Sequence, residues 1–305
     1  MCSPSGAALT AALALALTGC PSATPPVPAD LAARGVVRIP VDTGDAHGLS
    51  GLALADDGAL WTIAERSHAA FRIALDTSVT PPVVRAIRRV DVTGLPRGAE
   101  LESIAALPGG AFLVGTEGGR GLHAFRLEPD GDRLAVRGPS IDLTSRDVGV
   151  KAGGNRGLEG ACAVPGLALL AVEATGDDRA GRWAPLIVVS DGGATIVRRL
   201  RLTTGTGKLS SLDCWPTEAG VRAVAIERHF EVTRVLAFDL DVAGTGDVTP
   251  TLVRDLAPDL HGALNLEGIV RLPDGHLITV VDNQYGGLRG PDELVWLAAP
   301  RLLTR

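Results

Sequence analysis

The chain is predicted to be all-β and to form a single β-propeller, most simply of five four-stranded blades. Three observations predict it: a five-fold internal repeat, turn dipeptides at the centre of each repeat, and a composition suited to short strands. The repeat is the strongest. LSGLALAD from Leu49, LESIAALP from Leu101, LEGACAVP from Leu158, LSSLDCWP from Leu209 and LEGIVRLP from Leu266 align without gaps, at intervals of 52, 57, 51 and 57 residues. The second position is Ser50, Glu102, Glu159, Ser210 and Glu267, and a small residue always follows: Gly51, Ser103, Gly160, Ser211 and Gly268. Such a period suits a propeller blade with generous loops.

Each repeat then passes a turn and closes on an acid. The second runs end at Glu65, Glu117, Glu173, Glu227 and Asp282, which lie 15, 15, 14, 17 and 15 residues after the second position. Midway stand Asp57-Gly58, Gly109-Gly110, Gly166, the loop 217–220 and Asp274-Gly275. DG and GG supply the positive φ angles of two-residue hairpin turns. Each unit is therefore a hairpin whose second position and closing acid meet at its open end. Third strands follow from Ala69, Leu122 and Arg234, and fourth strands from Val83, Asp132 and Ala194. The last repeat ends after a third strand near Trp296, whereas an extra strand, GVVRIPVD from Gly35, precedes the first. Together these complete a fifth blade, with Pro40 placing the N-terminal strand at the outer edge. A six-bladed ring with one degenerate blade is the alternative.

Composition bounds the function. The 305 residues are 46% hydrophobic and 21% charged, enough for a large core. The net charge of −6, with only Lys151 and Lys208 as lysines, speaks against nucleic acid. An apolar stretch through residues 7–17 ends in Leu17-Thr18-Gly19-Cys20, which looks like a bacterial lipobox. Residues 1–19 read as a lipoprotein-type signal and 20–34 as a lipid-anchor cysteine with a proline-rich tether. Residues 35–305 are the propeller domain. This predicts a monomer at the cell envelope, held to the membrane through Cys20 alone, or a secreted one if the lipobox is a chance match. No basic residue precedes the apolar stretch, which departs from an ordinary signal. Cys162 and Cys214 remain in the body; strand parity permits a disulfide between them and equally permits free cysteines.

The stretches GLSGLALADDG, ESIAALPGGAFLVGTEGG, NRGLEGACAVPG, LLAVEATGD, AIERHFE and NLEGIVRLPDGHLITVVDNQYG resemble the phytase-like propeller family, labelled for an "esterase-like activity of phytase". The serine–glutamate–glutamate–serine–glutamate order is also similar to that of the SdiA-regulated envelope propellers. The resemblance implies an exported propeller with hydrolytic activity and bound calcium. The scarcity of lysine departs from true propeller phytases, which carry several basic phosphate contacts, and puts phytate in doubt as the substrate.

The first strand of each blade lines a propeller axis, so the repeat brings eight carboxylates to one mouth: Glu65, Glu102, Glu117, Glu159, Glu173, Glu227, Glu267 and Asp282. Like charges at ~4 Å repel by roughly 4 kcal/mol at a surface-like dielectric. Such a ring therefore requires protonation, hydrogen bonding, arginine or a cation. Oxygen donors without cysteine or histidine motifs favour calcium, with magnesium the alternative. Equally open is a structural ring, with the glutamates capping backbone amides and the closing acids paired to Arg66, Arg156 and Arg228. For hydrolysis of an ester or phosphoester, Glu159 and Glu267 are candidate acid–base groups. Arg66 and Arg228 are candidate anion holders, and His229, like His68, is a candidate proton donor. Asn283 and Tyr285 close the last mouth loop. A nucleophile elbow, a P-loop and zinc motifs are missing from the sequence. DLDVAGTGD from Asp239 only superficially resembles a calcium loop. Two functions follow: a calcium-dependent hydrolase, or a binding propeller with structural metal.

Overall fold

The computed structural model describes residues 34–44, 46, 48–118, 121–191, 193, 195–260, 264–283 and 292–298. The signal, Cys20, the tether up to residue 33 and Tyr285 lie outside them. β1 (Val36–Val41) comes first, and five repeated units follow.

Unit 1 is β2 (Leu49–Leu54), β3 (Leu60–Ala64), β4 (Ala69–Asp76) and β5 (Val83–Thr93). Unit 2 is β6 (Glu100–Leu107), β7 (Ala111–Glu117), β8 (Leu122–Asp130), β9 (Arg133–Val136) and β10 (Ile141–Leu143). The sequence suggests one strand from Asp132; Gly138 and Pro139 divide it, so that β9 and β10 pair with opposite halves of β8. β9 also runs parallel to the end of β5, joining the first two units at their outer edges. Unit 3 is β11 (Leu158–Val164), β12 (Leu167–Val172), a short β13 (Gly176–Asp178), β14 (Gly181–Ser190) and β15 (Thr195–Arg201). Unit 4 is β16 (Lys208–Thr217), β17 (Gly220–His229), β18 (Val232–Leu240) and β19 (Thr251–Asp255). Unit 5 is β20 (Asn265–Arg271), β21 (Leu277–Asp282) and β22 (Asp292–Leu297), completed by β1 in the order β1-β22-β21-β20. Pro40 lies in that outermost strand, opposite Glu293, where a missing N–H breaks no ladder.

Runs such as LALLAV and LITVVD are mostly apolar and almost wholly buried because both faces of each unit are covered. Five apolar layers result, one between each pair of neighbouring units. Phe112 and Ile63 pack between units 1 and 2, and Leu170 and Leu113 between 2 and 3. Leu186 and Phe238 fill the layer between units 3 and 4, and Ile226 and Leu266 that between 4 and 5. Phe71 and Trp296 belong to the layer between units 5 and 1, which closes the ring. The molecule is a β-propeller whose axis is lined by β2, β6, β11, β16 and β20.

At that axis the backbones nearly touch. A Cβ on Gly268 would lie 2.7 Å from the Gly51 carbonyl carbon, and one on Gly51 2.8 Å from the Ile104 nitrogen. Gly51 also has φ +59, so glycine there answers both a steric and a conformational demand. The small residue after every second position is the trace of this crowding. Cys162 and Cys214 form a disulfide between β11 and β16, stapling units 3 and 4.

Candidate functional site

A β-bulge recurs at the start of every inner strand. Register slips by one residue at Gly51 in β2, and at the second position itself, Glu102, Glu159, Ser210 and Glu267, in the others. Bulges re-aim side chains, and here they concentrate them at the axis. Ser50 and Ser210 donate to the next unit, 2.6 Å to Glu102 O and 2.7 Å to Leu266 O, as Ser103 does to Leu158 O at 2.5 Å. The mouth serines are thus inter-unit struts.

Glu102, Glu159 and Glu267 are buried and close enough to influence one another. Burial drives all three carboxyls above the ordinary range. For Glu102 the charges of Glu159 and Glu65 add to the rise, and for Glu159 those of Glu267 and Glu173 do. Glu267 is pushed up to about 8 by burial, against the pull of Arg228, with Asp282 and Glu65 reinforcing the rise. Burial, with Glu100 and Glu173 nearby, brings Glu117 to about 7.

Cations reach the cluster across unit boundaries. Arg228 of unit 4 pairs with Glu267 of unit 5 through Oε1, and the buried Oε2 of Glu267 has no hydrogen-bond partner among the described residues. Lys208 Nζ lies 3.0 Å from Glu173 of unit 3, and Arg66 Nε 3.1 Å from Glu100 of unit 2. Arg156 donates instead to Lys151 O at 3.2 Å.

Seven of the eight carboxylates identified from the sequence belong to this electrostatic cluster. Glu227 is turned away: its oxygens accept from the backbone N–H groups of Thr203 and Thr204 at 2.9 Å and from both hydroxyls at 2.5 Å. Asp282 accepts from Asn265 Nδ2 at 2.6 Å. Asn283 accepts from Gly48 N at 3.3 Å and donates to Asp292 at 2.6 Å. His68 donates Nε2–H to Ala99 O at 2.7 Å. His229 packs edge-on against Phe230, a residue 78% exposed on a backbone of positive φ. The Asp239 stretch wraps a guanidinium rather than an ion: Arg198 donates to Asp241 O, Gly244 O and Gly246 O at 2.6–3.0 Å.

Glu100 escaped the repeat-based reading because no other unit carries an acid at that place. It stands two residues before the bulge, and one oxygen from each of Glu65, Glu100 and Glu102 lies within 4.8 Å of the others. That trio fits an oxygen-preferring divalent cation, since the donors are hard and two of them are half-buried.

Comparison with curated proteins gives no match. Among solved structures, the chain is similar to a luciferin-regenerating enzyme (12% identity, 86% of this chain and 95% of that one, TM-score 0.48). It is also similar to the PQQ-bound aldose sugar dehydrogenase of Streptomyces coelicolor (12%, 87% and 98%, TM-score 0.41) and to a streptogramin B lyase (9%, 86% and 96%, TM-score 0.40). A family model described as "Phytase-like: Esterase-like activity of phytase" matches residues 45–285, from just before the first repeat to just past the last closing acid. The chain therefore belongs to the phytase-like family of β-propellers.

Proposed function

We propose that this propeller is a hydrolase of esters or phosphoesters, working at its acidic mouth with a divalent cation, calcium or else magnesium. The observation that carries the reading is Glu267 Oε2, buried and unpartnered within a carboxylate cluster. An unsatisfied buried oxygen is costly, and a site that meets cation and substrate recovers that cost. Glu65, Glu100 and Glu102 would hold the cation. When bound, it would supply Lewis-acid polarisation and a water of lowered pKa.

The chain's own groups divide the remaining work. Glu267, at about 8, keeps its proton at neutral pH and is suited to donate it to a leaving oxygen, with Arg228 fixing its orientation. Glu117, at about 7, is poised to take up or give a proton. Arg66, with its side chain 62% exposed at the rim, favours the approach of an anionic substrate. We place the protein at the cell envelope as a monomer anchored through Cys20. The Leu17–Cys20 motif supports the anchor and the Cys162–Cys214 disulfide supports an oxidising compartment.

One observation favours a second reading, a binding propeller with structural metal: Ser50 and Ser210 are committed to neighbouring carbonyls and offer no nucleophile. Melting residues 35–305 in EDTA, calcium and magnesium, beside turnover of p-nitrophenyl acetate and phosphate, separates the readings. The hydrolase predicts a calcium-specific rise in Tm, and a loss of about 10²–10⁴ in rate in a folded Glu267→Gln variant. Indifference to every divalent ion removes the cation. A cation response without turnover on any ester leaves the binding module.

A further inference from the structure

The inner strands run on from the acidic mouth to a second opening at the other end of the axis. Between the two, Leu52, Ile104, Leu212 and Ile269 close the channel so tightly that no water fits. Arg271 stands four positions after Glu267 on β20, a rise of roughly 13 Å along a strand. There all five inner strands line a cavity of about 180 Å³, far above the ~10–15 Å³ that one water requires.

About half of its lining is apolar: alanine methyls and Leu54, together with the Cys162–Cys214 disulfide. Its ionisable side chains are Arg271 and Asp213. The Arg271 guanidinium lies 4.8 Å over the Trp215 ring. Its Nε is buried without a hydrogen-bond partner, and the guanidinium makes no ion pair among the described residues. Asp213 does not neutralise it at close range, because its Oδ2 accepts the Arg271 backbone N–H at 2.7 Å instead. A guanidinium stacked on an aromatic face, with its donors uncommitted beside a partly apolar hollow, is arranged to receive a planar anion.

We propose that this cavity binds a small organic monocarboxylate, its carboxylate on the Arg271 guanidinium and its hydrocarbon part against Trp215 and the alanine walls. With Asp213 also in the cavity, a monoanion adds the least charge while still engaging the guanidinium fork. A dianion such as sulfate or phosphate would place surplus charge beside Asp213 and leave the apolar part of the lining unused. The site shares no residue with the acidic cluster, so it stands or falls independently of the hydrolase reading.

Butyrate is the probe. Titrated into the ¹⁵N-labelled full chain at constant ionic strength, it is expected to shift the backbone amides of Cys214, Trp215 and Arg271 saturably. Butylammonium should leave them unmoved, and sulfate should act more weakly than butyrate. Arg271→Gln is expected to weaken butyrate at least tenfold. If that variant does not fold, Arg271→Lys, which keeps the charge and loses the fork, is expected to weaken it several-fold. The proposal is overturned if no shift saturates, if sulfate binds more tightly than butyrate, or if the folded variant binds as well as the native protein. Shifts confined to the acidic mouth overturn it equally.

Discussion

Glu117 and Glu227 occupy the same point of the repeat and meet opposite surroundings. Glu117 faces other carboxylates and is held near neutrality, whereas Glu227 is saturated by four donors from Thr203 and Thr204. The repeat shows that both close a hairpin; it cannot show which neighbour arrives, because Thr203 and Thr204 precede unit 4 and have no counterparts in the repeat. Asp213 poses the same difficulty, since it meets Arg271 from 58 residues away. Burial raises Asp213 from 3.8 to about 6, overcoming the Arg271 and Cys214 backbone N–H groups and the Arg271 charge. Between those values the folded state holds a proton that the unfolded chain has released. Its contribution to stability is therefore intact below about pH 4 and declines as pH rises to about 6. Asp213→Asn keeps an acceptor for the Arg271 amide and is expected to flatten that decline, which Tm against pH from 3.5 to 7 in both proteins measures.

The inner strand is the element through which the sequence speaks most clearly. Its apolar residues, its small third position and its polar second position all answer to one environment, the crowded axis, and so they recur five times. What the pattern does not reveal is the bulge, which turns the second-position side chains and brings Glu100 beside Glu65 and Glu102. The cysteines illustrate the same limit. Offsets along two strands left their relation open, and the ring decides it by setting both in the one apolar layer between units 3 and 4. The bond closes a loop with a sequence separation of 52, for which lost chain entropy corresponds to about 4 kcal/mol. Reduction, or the pair Cys162→Ala and Cys214→Ala, is expected to lower stability by that amount without altering far-UV circular dichroism. A denaturant titration reads it directly.

For the molecule as a whole, both faces of every unit are apolar, so stability resides in the five layers and depends on the ring being complete. β1 covers the exposed edge of β22, and the Arg38–Glu293 ion pair crosses the junction from 255 residues away. Removing residues 35–41 is expected to leave an unpaired edge, broaden the unfolding transition and produce aggregates, as size-exclusion chromatography with thermal melting would show.

That junction also sets an order of events. During synthesis, units 1 to 4 emerge with all their strands in sequence and each can pair locally. β1 is made before them, yet it has no partner until β22 has left the ribosome. The fifth sheet is thus a lock that turns only after β22 has been made, and contacts so distant in sequence form slowly. A chain awaiting that last step is still open, and it is in this state that β1 must be kept from pairing with a neighbour's β22.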